Sequence, residues 1–226
     1  AGEMASFGSN YGNVTIYGDV EADYIVASTT NGNASVSGNL TAEDSVTVQA
    51  GLDAKVDGDG VAKGDFIRVT GGRDVSTSNL TAENGSIKVI AGNNADLSNA
   101  AKAKEIAVEA TAGTIASVGT LEATDGDITL DAGKDVNYLH ANASGNITAD
   151  AGRAIRAYGP TTAGNFAYDI TLTGKGGHGS RPDLSNSPLD CFHAIYADLQ
   201  SIWMRDVNPS EPATLAICKV QYGTTW

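Results

Sequence analysis

The sequence has few of the residues that define disulfide-rich, metal-binding or membrane-spanning proteins. Among its 226 residues are only two cysteines, Cys191 and Cys218, and five prolines. Two cysteines cannot form a disulfide framework, and their spacing matches no common zinc site, so we expect free thiols. No run approaches the roughly 18 consecutive apolar residues that a membrane helix needs. This predicts a chain without a membrane span.

Basic residues are also scarce. The chain carries 14 Lys and Arg against 27 Asp and Glu, which gives a formal net charge of −13. Such a surface repels phosphate groups, so we expect no nucleic-acid partner. Hydrophobic residues make up 41% of the chain, which is enough to build a core.

The excess of acidic charge lies in one part of the sequence. Residues 1–152 contain 21 acidic and 8 basic side chains, whereas residues 153–226 contain 6 of each. Both tryptophans, both cysteines and all five prolines follow residue 152, and 20 of the 27 glycines lie within residues 1–152. We therefore predict two domains, one spanning residues 1–152 and the other residues 153–226.

A repeat of about twenty residues runs through the first domain. The phrase Asn79-Leu-Thr-Ala-Glu-Asn-Gly-Ser-Ile-Lys-Val-Ile-Ala-Gly92 has a close counterpart in Thr120-Leu-Glu-Ala-Thr-Asp-Gly-Asp-Ile-Thr-Leu-Asp-Ala-Gly133. Apolar residues alternate within each copy, and Gly, Asn or Asp separates the copies, which predicts short strands and tight turns. Aligned on the central β-branched residue, the copies recur every 19 to 22 residues, with anchors at Ile25, Val46, Ile67, Ile87, Ile106, Ile128 and Ile147.

A repeat this short cannot bury its own apolar face, so each copy must stack on its neighbours. The sequence therefore predicts a mainly β fold, a right-handed parallel β-helix with about 20 residues per coil and seven or eight coils. Small residues that recur at one position suit a narrow interior: Ala42, Ala82, Ala123 and Ala141.

The phrase Gly126-Asp-Ile-Thr-Leu-Asp-Ala-Gly133 and its variants resemble the repeats of filamentous-haemagglutinin-type β-solenoid adhesins. The resemblance covers about two thirds of the chain. It implies a secreted or cell-surface rod, of bacterial type, that binds a protein or another surface ligand.

Two kinds of motif in the repeat invite a chemical interpretation. Seven Asn-x-Ser/Thr triplets, beginning at Asn13, Asn33, Asn39, Asn79, Asn84, Asn142 and Asn146, match the N-glycosylation pattern, and the runs Asp57-Gly-Asp59 and Asp125-Gly-Asp127 suggest calcium. We expect both to be turn residues of the coil, because Asn, Asp and Gly are what tight turns require. Residues 1–152 hold a single histidine and no His-and-carboxylate cluster with metal-ligand spacing. We therefore expect no metal site and no catalytic centre in the repeat.

The second domain reads differently. An alternating strand at 168–173 leads into the glycine-rich turn 174–183, which is followed by an amphipathic helix over 188–203 and a second strand at 214–222. One face of the helix is apolar at helical spacing, with Leu189, Phe192, Ile195, Tyr196, Leu199 and Ile202. The β-α-β order predicts a small α+β segment, half of a ferredoxin-like sandwich.

The run Gly174-Lys-Gly-Gly-His-Gly-Ser-Arg-Pro-Asp183, followed by Pro188-Leu-Asp190, a helix and Arg205-Asp-Val-Asn-Pro209, resembles the lid or dimerisation domain of aminoacylase-type, metal-dependent amidohydrolases and peptidases. The resemblance assigns a catalytic role to His178, which in that family stabilises charge in the active site of a partner subunit. The zinc ligands of the family lie in a separate catalytic domain that these residues do not contain. The family lid also continues beyond the point that this sequence reaches.

Two functions follow from these patterns. The first is a non-catalytic, adhesin-like rod that is secreted or exposed at the cell surface and has no cofactor. The alternative is a lid or dimerisation fragment of a metal-dependent amidohydrolase, in which case zinc belongs to the missing catalytic domain and the chain is cytoplasmic. Under either interpretation we expect a homodimer through residues 166–226, because the half-sandwich leaves a strand edge unpaired.

Overall fold

A computed structural model describes residues 2–166 and 192–197. The chain divides into two compact units, Ala1–Asp169 and Ile170–Trp226. Within the described residues of the first unit, every strand pairing is parallel and the strands form a β-solenoid of about eight turns. Its strands are β1 (Met4–Ser9), β2 (Val14–Ile16), β3 (Val20–Thr29), β4 (Ala34–Val36), β5 (Leu40–Ala50), β6 (Ala54–Val56), β7 (Gly60–Ala62), β8 (Phe66–Gly71), β9 (Val75–Thr77), β10 (Leu80–Ala82), β11 (Ser86–Ala91), β12 (Ala95–Leu97), β13 (Ala101–Ala103), β14 (Glu105–Ala110), β15 (Ile115–Ala123), β16 (Ile128–Ala132), β17 (Asp135–Ala151), β18 (Ala154–Ala157) and β19 (Thr161–Phe166).

The coil has three flat sides, which we name faces A, B and C. Face A is built from residues 4–9, 24–29, 45–50, 66–71, 86–91, 105–110, 128–132 and 147–151, and these strands number coils one to eight. Face B contains residues 14–16, 34–36, 54–56, 75–77, 95–97, 115–117, 136–138 and 154–157. Face C contains residues 20–22, 40–42, 60–62, 80–82, 101–103, 121–123, 141–143 and 161–163.

The strand register confirms the alignment of the sequence repeat. Ile25 pairs with Val46, Val46 with Ile67, and Ile67 with Ile87. The same column continues through the remaining anchors, Ile106, Ile128 and Ile147, and all seven are at most 1% exposed. The recurring alanines of face C also face inward, as predicted: Ala42, Ala82, Ala123 and Ala141 are at most 3% exposed.

The corners absorb the variation in coil length, most of all the corner between faces C and A. There, coil five turns with Lys104 alone, whereas coil six uses residues 124–127. The step from Ile87 to Ile106 is therefore 19 residues and the step from Ile106 to Ile128 is 22, although all three stay in register. Insertions thus leave the stacked faces undisturbed.

Glycine is required where consecutive corners approach each other closely. A Cβ atom on Gly85 would lie 1.1 Å from the carbonyl oxygen of Asp65 in the coil below, and one on Gly58 would lie 2.1 Å from that of Gly38. No side chain fits at such distances, so the parallel ladder of backbone hydrogen bonds can continue through these corners only with glycine.

The solenoid continues beyond the change in sequence at residue 152. Strand β18 pairs with the start of β17, and β19 pairs with the rest of β17 up to the register pair Ile147 and Phe166. These strands were not expected from the repeat, because 153–166 lacks the alternating β-branched pair that marks the earlier coils. The backbone of β17 in the coil below pairs with them instead.

In the second unit the structure describes one short helix, residues 192–197. It lies inside the helix predicted over 188–203. The rings of Phe192 and Tyr196 stack on the predicted apolar face, with centroids 6.3 Å apart and an interplanar angle of 13°. The predicted strands at 168–173 and 214–222 lie outside the described residues.

Candidate functional site

His178, the one catalytic residue that the sequence suggested, lies outside the described residues. In residues 2–166 and 192–197, no three or more His, Cys, Asp and Glu side chains are grouped so as to hold a metal ion. No described helix has both the length and the apolar character needed to cross a membrane. The candidate sites of the described chain are therefore surface features of the solenoid.

The acidic glycine runs serve the corners, as expected. Asp57 forms an ion pair with Lys55 at 3.0 Å, and Asp59 Oδ1 accepts a hydrogen bond from Asn79 Nδ2 at 2.8 Å. Asp127 Oδ1 accepts the backbone N–H of Asn146 at 2.6 Å. Asp59 and Asp127 thus join neighbouring coils, whereas the ion pair of Asp57 lies within one coil.

Several asparagines of the glycosylation-like triplets have the same role. Asn33 accepts the backbone N–H of Asp53 at 3.0 Å, and Asn39 accepts that of Asp59 at 2.9 Å. Asn13 accepts the N–H of Asn33 at 2.9 Å, so side-chain oxygens form a ladder from coil to coil. Backbone N–H groups that turn away from the strands are satisfied in this way.

Between faces A and B this ladder follows a charge rule. Where the ladder residue is Asp, the next coil presents a donor: Arg73 for Asp53, Asn93 for Asp74 and Arg153 for Asp135. Where it is Asn, the corresponding residue of the next coil has no polar side chain: Gly32 follows Asn13, Leu52 follows Asn33 and Gly113 follows Asn94. Each aspartate of this ladder is therefore bonded to a donor side chain of the next coil.

Asp135 is the most buried of these carboxylates, at 7% side-chain exposure. Arg153 binds it through both Nε and Nη2, and Nη1 of Arg156 lies 3.8 Å away. The hydrogen bonds from Arg153 lower the pKa of Asp135, against the opposing effect of burial, and the positive charges of Arg153, Arg156 and Lys134 lower it further. Arg73 likewise lowers the pKa of Asp53.

A concave site lies on the first three coils, where face A meets the corner toward face B. It encloses about 370 Å³. Gly8 and Gly51 contribute no side chains, and this absence helps to make the depression. All eight residues that line the groove are uncharged: Gly8, Ser9, Asn10, Ser28, Thr29, Thr30, Gln49 and Gly51.

The groove presents hydrogen-bonding groups that the fold does not use. Within the described chain, the side chains of Asn10, Ser28, Thr30 and Gln49 have no hydrogen-bond partner, whereas Thr29 is buried and bonded to Gly12 and Gly32. Tyr11, which follows Asn10, is 91% exposed. Sequence analysis missed this site because isolated Ser, Thr, Asn and Gln residues in a repeat look like turn and strand surface.

Short stretches of the chain match curated hydrolases. The N-acetylcysteine deacetylase of Bacillus subtilis is 35% identical over 68 residues, which cover 30% of this chain and 18% of that protein. The N-acetyldiaminopimelate deacetylase of Geobacillus thermodenitrificans is 42% identical over 55 residues, which cover 24% and 15% of the two proteins. The hippurate hydrolase of Campylobacter jejuni is 36% identical over 59 residues, which cover 26% and 15%.

The chain thus spans less than a fifth of the length of these relatives. No family model matches the chain, and no solved structure matches it. The comparisons show a partial resemblance to deacetylases and related amidohydrolases, limited to about 30% of the chain.

Proposed function

We propose that this chain is a non-catalytic structural protein whose solenoid presents a binding surface, in the manner of a secreted or cell-surface adhesin. The observation that carries the proposal is the neutral groove on coils one to three. A stack of coils that is paired along all three faces holds this groove, so its side chains are fixed by backbone that cannot easily move.

The chemistry of the groove favours an uncharged, hydroxyl-rich ligand such as a neutral polysaccharide chain. Serine, threonine and amide side chains can both donate and accept hydrogen bonds, which suits sugar hydroxyls. No charged side chain lines the groove, so an ionic ligand would lose its hydration without gaining a counter-charge. Tyr11, which follows the lining residue Asn10 in the chain, has an exposed aromatic ring on which a sugar could pack.

Binding of the full chain to immobilised neutral polysaccharides tests this proposal. Replacing two free polar groups by apolar ones, Ser28→Leu with Gln49→Leu, should abolish binding. The matched control, Thr41→Leu with Thr81→Leu, makes the same kind of change on face C and should leave binding intact. Absence of binding by the wild-type chain, or equal binding by both double variants, would show that the groove is not a ligand site.

The partial matches support a second function, an association segment of a metal-dependent amidohydrolase. The motif 174–183 carries the resemblance, and the described helix 192–197 agrees with the helix that the family lid requires. In this proposal His178 stabilises charge in a partner's active site, and zinc is held by a catalytic domain outside this sequence.

Activity measurements separate the two functions. If the chain lacks a catalytic domain, the full chain should neither hydrolyse N-acetylcysteine or hippurate nor bind zinc with defined stoichiometry. Hydrolysis that a chelator removes and zinc restores would contradict the non-catalytic proposal. Groove binding without turnover would favour the adhesin-like rod.

A further inference from the structure

Face A carries two stacks of like charge that form no ion pair with the residues that the structure describes. Arg68 and Lys88 are register partners on neighbouring strands, and both are exposed. Glu109, Asp131 and Asp150 form a second column, in which each residue is the register partner of the next. Like charges directly opposite each other on adjacent strands are unfavourable.

Other charges on the solenoid are treated differently. Lys63 pairs with Glu43 at 2.5 Å and Lys102 with Glu122 at 2.9 Å, in each case across neighbouring coils. None of these five face A charges takes part in an ion pair within the described chain, and neither does Glu105, the remaining charged residue of face A; Glu109 accepts a hydrogen bond from Thr111. On face A, Lys88 and Glu109 also lie on neighbouring strands, offset by two positions, but they form no ion pair there.

Distance prevents part of this set from pairing within one molecule. Arg68 lies on coil four and Asp131 on coil seven, three strand spacings apart. At about 4.8 Å per spacing, the separation along the stack is roughly 14 Å, beyond the reach of an ion pair. Asp131 of the same solenoid therefore cannot supply the opposite charge for Arg68.

We propose that face A is the interface between two copies of this chain, arranged antiparallel. A two-fold axis that crosses the stack between coils five and six places coil four of one copy against coil seven of the other, and coil five against coil six. Arg68 then faces Asp131 of the second copy and Lys88 faces Glu109. In each pair the two residues differ by two positions along the strand, roughly 7 Å, which long basic side chains can span.

The charge pattern rejects the other face-to-face arrangement. In a parallel pair, every coil would meet its own equivalent, so that Arg68 and Lys88 would face the same basic coils and Asp131 the same acidic one. Such like-charge contacts disfavour association. Only the antiparallel order places the basic residues of one copy opposite the acidic residues of the other. Because the arrangement has two-fold symmetry, each ion pair occurs twice.

The overlap limits the strength of this contact. Coils three to eight can overlap in the antiparallel pair, which gives roughly 29 Å along the stack and 20 Å along the strands. A footprint of roughly 600 Å² on each copy is at the low end for a specific interface, so we expect weak association that salt weakens further. Coils one and two, which hold most of the groove, stay outside the overlap.

Sedimentation of the full chain at about 100 µM, in about 20 mM and about 0.5 M salt, tests the interface. The wild-type chain should dimerise at low salt and dissociate at high salt. Arg68→Glu with Lys88→Glu should be monomeric at both, and so should Glu109→Lys with Asp131→Lys. A control with the same added charge on face C, Thr41→Glu with Thr81→Glu, should still dimerise.

Mixing the two reversed variants makes the test specific. Their faces become complementary to each other in the antiparallel order, so an equimolar mixture should recover the dimer that neither variant forms alone. Circular dichroism establishes that both variants are folded, and the neutral pair Arg68→Gln with Lys88→Gln replaces any that is not. A monomeric wild-type chain, a dimer that no face A variant weakens, or a mixture that stays monomeric would overturn the proposal. A dimer insensitive to these variants would place the contact in residues 166–226 instead.

Discussion

At the scale of single residues, the solenoid interior contains buried hydroxyl groups of two kinds, with and without a hydrogen-bond partner. Thr29 is 3% exposed, and its Oγ1 donates to the carbonyl of Gly12 at 2.6 Å while accepting the N–H of Gly32 at 3.1 Å. Thr77 is 1% exposed, and its Oγ1 has no partner. Its register neighbours are Val56 and Leu97, whose side chains offer no acceptor.

We expect Thr77→Val to raise the free energy of unfolding by about 1 kcal/mol, because it removes an unpaired buried hydroxyl without changing the shape of the side chain. Thr29→Val should lower it by about 1–2 kcal/mol, because the buried N–H of Gly32 and the carbonyl of Gly12 would lose their partner. Urea unfolding midpoints of both variants check the contrast. A loss of stability in Thr77→Val would mean that its hydroxyl is paired in solution.

At the scale of strands and corners, the sequence predicted much of the strand register. It did not predict which side chains pair at the corners. The anchors from Ile25 to Ile147 could be aligned because β-branched residues alternate with polar ones at a regular interval. The pairing of Asp135 with Arg153 could not be predicted, because it depends on which corner residues of successive coils lie next to each other. The groove was missed for the same reason, since Ser28 and Gln49 become neighbours only through stacking.

The Asp135–Arg153 corner predicts a dependence of stability on pH. The pKa of Asp135 is lower in the folded chain than in the unfolded one, so between the two values the unfolded state binds more protons. The contribution of this corner to stability is therefore complete above the unfolded pKa of about 4 and declines as the pH falls through the folded value. Thermal unfolding of wild type and Asp135→Asn between about pH 2 and 7 should show their difference narrowing toward acid. A difference that is constant with pH would contradict the assigned charge state.

At the scale of the whole described unit, sequence periodicity and structure agree on the architecture but not on where it ends. The repeat predicted coils up to residue 152, and strands β18 and β19 add pairing up to Phe166. The sequence of 153–166 gives little sign of this, because a strand at the end of a stack takes its register from the coil below rather than from its own pattern. Residues 153–166 therefore extend the solenoid past the boundary that the sequence predicted.

The central claim is that the repeats stack in register along one axis, and distances between spin labels on face C test it most directly. With Cys191 and Cys218 replaced by serine, labels at Thr41→Cys and Asn142→Cys are separated by five strand spacings, and labels at Glu21→Cys and Thr162→Cys by seven. At about 4.8 Å per spacing, electron–electron double resonance on samples diluted with unlabelled protein should give narrow distributions near 24 Å and 34 Å. Broad distributions, or distances that do not increase with the number of coils, would contradict the stacked solenoid.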